Sequence, residues 1–233
     1  MNKKHEVSEL RQDLVSGEWI IIAPYRLKRP GDLIKKVAKR KKTSKISCPF
    51  ENPLKSGQKR AVLAYPSLKD WELQIIPNKF PALSPKEKKA VFERHGRYNI
   101  LPGVGHHELL ITRNHDKNFE GLSSLKALNV FRAFRGRYLV LMNDKNISYV
   151  SIFQNWGPTA GASIYHPHYQ IIALPVVPPD VTRSLSGSKG YFKKYKTCVH
   201  CAIVGQEKKD KRRIIFENQG AVAFSPFASP NPY

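Results

Sequence analysis

The chain has 233 residues, of which 41% are hydrophobic and 10% aromatic, enough for one large core and too apolar for wholesale disorder. A formal net charge of +22 fits a polyanionic ligand, either nucleic acid or a small phosphate substrate. The opening MNKKHEVSEL has no apolar h-region, no apolar run approaches a membrane span, and three cysteines do not make a secreted disulfide scaffold, so the expectation is a soluble cytoplasmic protein.

In chain order, WIIIAP (19–24), RAVLAY (60–65), ELQIIP (72–77), HELLIT (107–112), SYVSIFQN (148–155) and YQIIALP (169–175) are short runs rich in β-branched and aromatic residues, and read as strands. A weak helix is expected over 85–93. A stronger one starts at Ser123 and Ser124, which can cap it, and continues with Ala127, Phe131, Phe134, Tyr138 and Leu141 at spacings of 4, 3, 4 and 3. That stripe is expected to be core. The run 175–190, with three prolines and SLSGSKG, reads as a linker. IIFEN and AVAFSPF then read as two further strands. Many strands without regular βα alternation predict an α+β fold, a mainly antiparallel sheet with flanking helices. The expected division is a unit at 1–180 and a second, incomplete unit at 181–233, too small to stand alone. Two basic runs, seven residues between Lys35 and Lys45 and five between Lys208 and Arg213, read as solvated loops.

The densest chemical signal is GASIYHPHYQ, 161–170. At a strand entry, alternate residues share a face, so His166, His168 and Gln170 would point one way. Pro167 stiffens the spacing. A neutral imidazole offers a lone pair at neutral pH, and histidine is an accepted covalent catalyst. A pair of surface or metal-bound histidines is the other reading of the same residues. Cys198 and Cys201 form a Cys-x-x-Cys, a spacing that suggests metal or redox chemistry. His106 and His107 read as structural or exposed.

NWGPTAGASIYHPHYQ closely resembles the active-site segment of the galactose-1-phosphate uridylyltransferase family, a branch of the histidine-triad superfamily. Other segments agree in order: RQDLVSGEWIIIAPYRLKRP, IIPNKFPAL, HHELLITRNHDKNF and PFASPNPY. The resemblance implies a histidine-triad-like sheet followed by a truncated second similar half. It implies that His168 is a nucleophile forming a uridylyl-histidine from UDP-glucose, which galactose 1-phosphate then resolves. Arg26, Arg29, Asn78, Phe80, Asn155, Gly161, Ser163 and Gln170 fall on substrate-binding positions. It also implies a zinc site at Cys48, Glu51, His115 and His166, with Glu51 standing where the family often has a second cysteine, and the first half of a second zinc site at Cys198 and Cys201. A homodimer with nucleotide-sugar and sugar-1-phosphate substrates follows from the same resemblance. An adenylyl-transferring phosphorylase acting on ADP-glucose or a dinucleotide, and a non-catalytic basic protein binding nucleotide or nucleic acid, are the alternatives.

Overall fold

The computed structural model describes residues 9–22, 42–85, 91, 93–157 and 160–229. The chain falls into two compact units, one of Val37–Val177 and one of Met1–Lys36 with Pro178–Tyr233. The described residues 9–22 group with the C-terminal segment.

The larger unit is built on a five-stranded antiparallel sheet. Its strands are β3 (Leu63–Pro66), β4 (Trp71–Pro77), β7 (His106–Thr112), β8 (Tyr149–Phe153) and β9 (His168–Leu174), in the order β3-β4-β7-β9-β8. A hairpin of β5 (Glu93–His95) and β6 (Tyr98–Ile100) stands apart from that sheet. Of the helix expected over 85–93, residues 86–90 and 92 lie outside the described residues, and Glu93 opens β5. The α+β fold with a mainly antiparallel sheet is the one the strand runs predict.

Helix α1 (Ser124–Met142) covers one face of this sheet. Ser123 is its N-cap, its hydroxyl accepting from the Lys126 N–H at 3.5 Å. Leu73, Ile75, Leu110, Tyr169, Ile171 and Ala173 meet Val130, Ala133 and Leu141 of the helix in the main core. Each fully buried Ile or Leu here stabilises the fold by about 1.5–3 kcal/mol. The predicted stripe is rotated from the true one: Phe131 is 58% and Tyr138 40% exposed. The buried line runs Val130, Ala133, Arg137, Leu141. Arg137 hides the period because it is a charged residue in a core-facing position, where Nε and Nη2 donate to both Glu108 carboxylate oxygens at 2.7 and 2.6 Å.

The opposite face carries Ile76, Leu109 and Ile111, covered at one end by the loop holding Cys48 and Phe50. His107, Leu109 and Ile111 on β7 and His168, Gln170 and Ile172 on β9 share this face by register, with Ile111 opposite His168 and Leu109 opposite Gln170. His107, His168 and Gln170, taken up below, lie on it.

The smaller unit contains β1 (Glu9–Gln12) paired with β2 (Trp19–Ile22), helices α2 (Pro179–Tyr195) and α3 (Val199–Asp210), and the hairpin of β10 (Ile214–Glu217) and β11 (Val222–Phe224). The expected linker at 175–190 is in fact mostly α2. Pro179 occupies the first turn, where a missing N–H costs nothing, and Asp180 there and Lys193 and Lys194 in the last turn suit the helix dipole. Its half-buried stripe is Val181, Ser184, Gly187, Ser188 and Tyr191, too small and polar to show as a hydrophobic period. Gly187 is required by contact: a Cβ there would strike the Val15 carbonyl oxygen. Gly187→Ala is expected to destabilise the chain by about 1–3 kcal/mol, read as a lowered urea midpoint.

Candidate functional site: a histidine face beside a metal-binding cluster

Four side chains from distant parts of the larger unit converge beneath the sheet face. Cys48 and Glu51 come from the loop before β3, His115 from the turn after β7, and His166 from the segment entering β9. Their ligand atoms all lie within 4.8 Å of one another. His166 Nε2 sits 2.7 Å from the Thr112 carbonyl oxygen and His115 Nε2 3.0 Å from that of Thr43. A carbonyl only accepts, so both rings carry their proton on Nε2 and turn an Nδ1 lone pair inward. His166 Nδ1 is 3.6 Å from Cys48 Sγ and 3.6 Å from Glu51 Oε1, and His115 Nδ1 is 2.9 Å from the same oxygen.

Glu51 Oε1 and His115 Nδ1 are both buried acceptors without a hydrogen-bond donor. Two lone pairs facing each other at this distance repel, and a cation between them satisfies both. Sulfur, carboxylate and two imidazoles form a donor set of the borderline-soft kind that suits a divalent transition metal. Burial holds the His166 imidazole below its ordinary pKa, which keeps it a neutral ligand. Burial also pushes the Cys48 thiol up. A metal must displace that thiol proton, so metal affinity is expected to rise with pH. Competition titrations against a chelator at pH 6 and pH 8 would check this, and equal affinities would contradict it.

Phe50, 1% exposed, links this cluster to the next group. Its ring meets His166 edge-on at 5.9 Å and His168 at 5.3 Å. His168 opens β9 with Nδ1 2.9 Å from the His166 carbonyl oxygen. Nδ1–H therefore donates, and the lone pair of the neutral ring is on Nε2. Gln170 follows two residues on, on the same face. His166 precedes the strand and is fully buried in the cluster, so the three residues expected on one face divide into one member of the cluster and a pair on the open face.

Asn78 follows β4 directly and lies across from His107, its N–H donating to the His107 carbonyl at 2.9 Å. Its side-chain oxygen accepts from the Phe80 N–H at 3.0 Å, and Phe80 is 81% exposed. Asn155, Gly161 and Ser163 lie on the β8–β9 connection, where Gly161 at φ +75° adopts a backbone that other residues disfavour. Arg26 and Arg29 lie outside the described residues. Cys198 caps α3 and Cys201 sits in its first turn, both exposed, and among the described residues no third ligand forms a cluster with them.

His106 and His107 do more than the sequence suggested. His106 Nε2 contacts Asp144 Oδ2 at 3.0 Å, and this hydrogen bond, with that of the Asn146 N–H, holds the Asp144 carboxyl below the ordinary carboxylate range. The lowered folded value means the contribution is present above about pH 4 and is lost as pH falls through the folded value. Asp144→Asn is expected to flatten the acid limb of stability against pH, measured by urea midpoints from pH 6 to pH 3. His107 bonds to Gln170 and to the Ala82 backbone, a connection invisible in the sequence because its partners lie 63 and 25 residues away.

Residues 1–178 match the family model described as "Galactose-1-phosphate uridyl transferase, N-terminal domain". The chain belongs to that family. It is 31% identical over 233 residues to an ADP-glucose phosphorylase of Arabidopsis thaliana, covering 99% of this chain and 65% of the relative. It is 23% identical over 226 residues to a galactose-1-phosphate uridylyltransferase of Thermotoga maritima, covering 97% and 64%. A crystal structure of an ADP-glucose phosphorylase from Arabidopsis thaliana with bound ADP-glucose superposes with a TM-score of 0.77 at 31% identity, covering 96% of this chain and 65% of that one. The chain thus spans about 65% of the length of these family members. No helix among the described residues is long and apolar enough to cross a membrane.

Proposed function

We propose that the protein transfers a nucleotide through a covalent histidine intermediate, with His168 as the nucleophile. The observation that carries this reading is the bond from His168 Nδ1 to the His166 carbonyl, which puts the lone pair on Nε2, on the open face beside Gln170. Nε2 attacks the α-phosphorus of a nucleoside-diphosphate sugar, the bond from that phosphorus to the bridging oxygen breaks, and a sugar 1-phosphate leaves with the electron pair. An acceptor phosphate oxygen then displaces His168. Gln170 donates to the phosphoryl oxygens, assisted by Ser163. Arg26 and Arg29 neutralise phosphate charge, and Asn78, Phe80, Asn155 and Gly161 contact the nucleotide.

Of the two donors, ADP-glucose with inorganic phosphate as acceptor is favoured by the 31% identity to the ADP-glucose phosphorylase, against 23% to the uridylyltransferase. UDP-glucose with galactose 1-phosphate is the second reading. Intact-mass spectrometry after incubation with each sugar nucleotide, kept away from acid, tests both at once. A gain of one AMP names the first, a gain of one UMP the second. No gain with either returns the chain to the binding-protein alternative.

Zinc is the metal proposed for Cys48, Glu51, His115 and His166, where it would fix the segment entering β9 and supply no step of the transfer. Protein purified without chelator is expected to carry close to one zinc per chain by elemental analysis. Cys48→Ser should lower that content, and metal-free protein of full thermal stability would refute the assignment.

A further inference from the structure

His107, the second residue of β7, faces the same side of the sheet as His168 and Gln170, and the transfer chemistry proposed above does not call for a third imidazole. Its bonds nevertheless tie together both halves of a nucleotide site. The Ala82 N–H donates to His107 Nδ1 at 3.0 Å. A backbone N–H only donates, so Nδ1 is an acceptor and the ring proton is on Nε2. That proton lies 3.1 Å from Gln170 Oε1. Asn78 Nδ2 approaches the same nitrogen at 3.0 Å, but there a donor meets a donor, so the bond that Nε2–H makes is the one to Gln170.

The register explains how these groups meet. Asn78, the residue after β4, lies across from His107 on β7, and Gln170 on β9 is the diagonal neighbour of His107, which pairs with Ile172. With Oε1 taken by His107, the Gln170 amide has one orientation, which leaves its NH2 group to donate to a phosphoryl oxygen. On its other nitrogen the same ring pins the segment from Asn78 to Ala82, which carries Phe80.

We infer that His107 is a positioning residue that fixes the Gln170 amide and the Asn78–Ala82 segment as one unit, joining phosphoryl recognition to nucleotide recognition. The inference rests on the transfer reading given above for the catalytic consequence, while the hydrogen-bonded unit itself is a property of the fold. An arginine or lysine would have neutralised phosphate charge at this place. A neutral imidazole with both nitrogens committed instead sets direction.

Two variants separate the bonds. Asparagine at 107 has a carbonyl near the position of Nδ1 and keeps the Ala82 bond while losing the one to Gln170. Glutamine reaches the position of Nε2 and keeps the Gln170 bond while losing the one to Ala82. His107→Asn is expected to slow nucleotide uptake about 10- to 100-fold at saturating donor. His107→Gln should mainly raise the donor concentration needed for half-maximal uptake. In the His107→Asn/Gln170→Leu double variant the loss should be no greater than in Gln170→Leu alone, because both changes remove the same bond. Losses that multiply, or an unimpaired His107→Asn, would overturn the inference. Should the wild-type protein take up no nucleotide, the transfer reading fails. The imidazole 15N shifts of His107 then decide on the unit by themselves. A ring protonated on Nε2 whose shifts move in Gln170→Leu supports it, and a ring protonated on Nδ1 overturns it.

Discussion

His168→Asn should abolish the covalent nucleotide adduct while leaving the protein folded. The side chain is half-buried at the start of β9 and contributes no packing to the main core, so its loss leaves the sheet intact. Asparagine can keep a donor near the His166 carbonyl, yet it has no lone pair with the basicity to attack phosphorus. The expected mass gain therefore falls from one nucleotide per chain to none, with a circular dichroism spectrum and a urea midpoint close to those of wild type. Equal labelling in wild type and variant would show that the nucleotide is carried elsewhere and would end the His168 assignment. Gln170→Leu should behave differently. It keeps the nucleophile and loses a donor to the phosphoryl oxygens, so labelling should slow by about 100-fold or more without disappearing.

The largest effect on stability is expected at Arg137 and Glu108. Their side chains are 15% and 4% exposed, and two hydrogen bonds join them between α1 and β7. Removing the arginine leaves a carboxylate buried without its counter-charge, and Arg137→Met should cost about 3–5 kcal/mol. The companion change Glu108→Leu in the same chain removes that stranded charge and should restore most of the loss, because a well-packed apolar pair often equals a buried ion pair. Urea midpoints followed by tryptophan fluorescence would measure both. If Arg137→Met lies within 1 kcal/mol of wild type, the carboxylate must find water or a proton, and the pair is not a structural anchor.

Much of this fold could be read along the chain because its strands are short, apolar and bounded by turn residues. β4, β7, β8 and β9 fall within a residue or two of the predicted runs, and Ser123 marks the start of α1 as its hydroxyl suggests. Elements were lost where a residue's apparent character and its local role diverge. Arg137 looks like a surface residue and rotated the predicted core face of α1. Pro178 and Pro179 look like a linker and instead start α2, while Gly187 looks like a helix breaker and instead admits a carbonyl oxygen.

The candidate site divides the same way. His166, His168 and Gln170 are legible because they lie within five consecutive residues of one motif. Glu51 was legible only through the place it takes in the Cys48 run, and the structure brings its oxygen within 2.9 Å of His115. His107 was passed over because nothing adjacent to it in the chain signals a task. Its role comes from strand register alone, and register is a property of pairing that no single segment encodes.

The substitution of a carboxylate for a second thiol also changes how the cluster meets oxidants. A site with two cysteines can release its metal and close as a disulfide, a state that blocks remetallation until a reductant arrives. Here Cys48 is the only sulfur among the four converging ligands. Without a metal, Cys48 is a lone, buried thiol with no second thiol in the cluster to couple with. Its burial raises the proton affinity that keeps it unreactive. Were the cluster to hold a metal as proposed, its loss could not be followed by closure of a disulfide between two of its ligands.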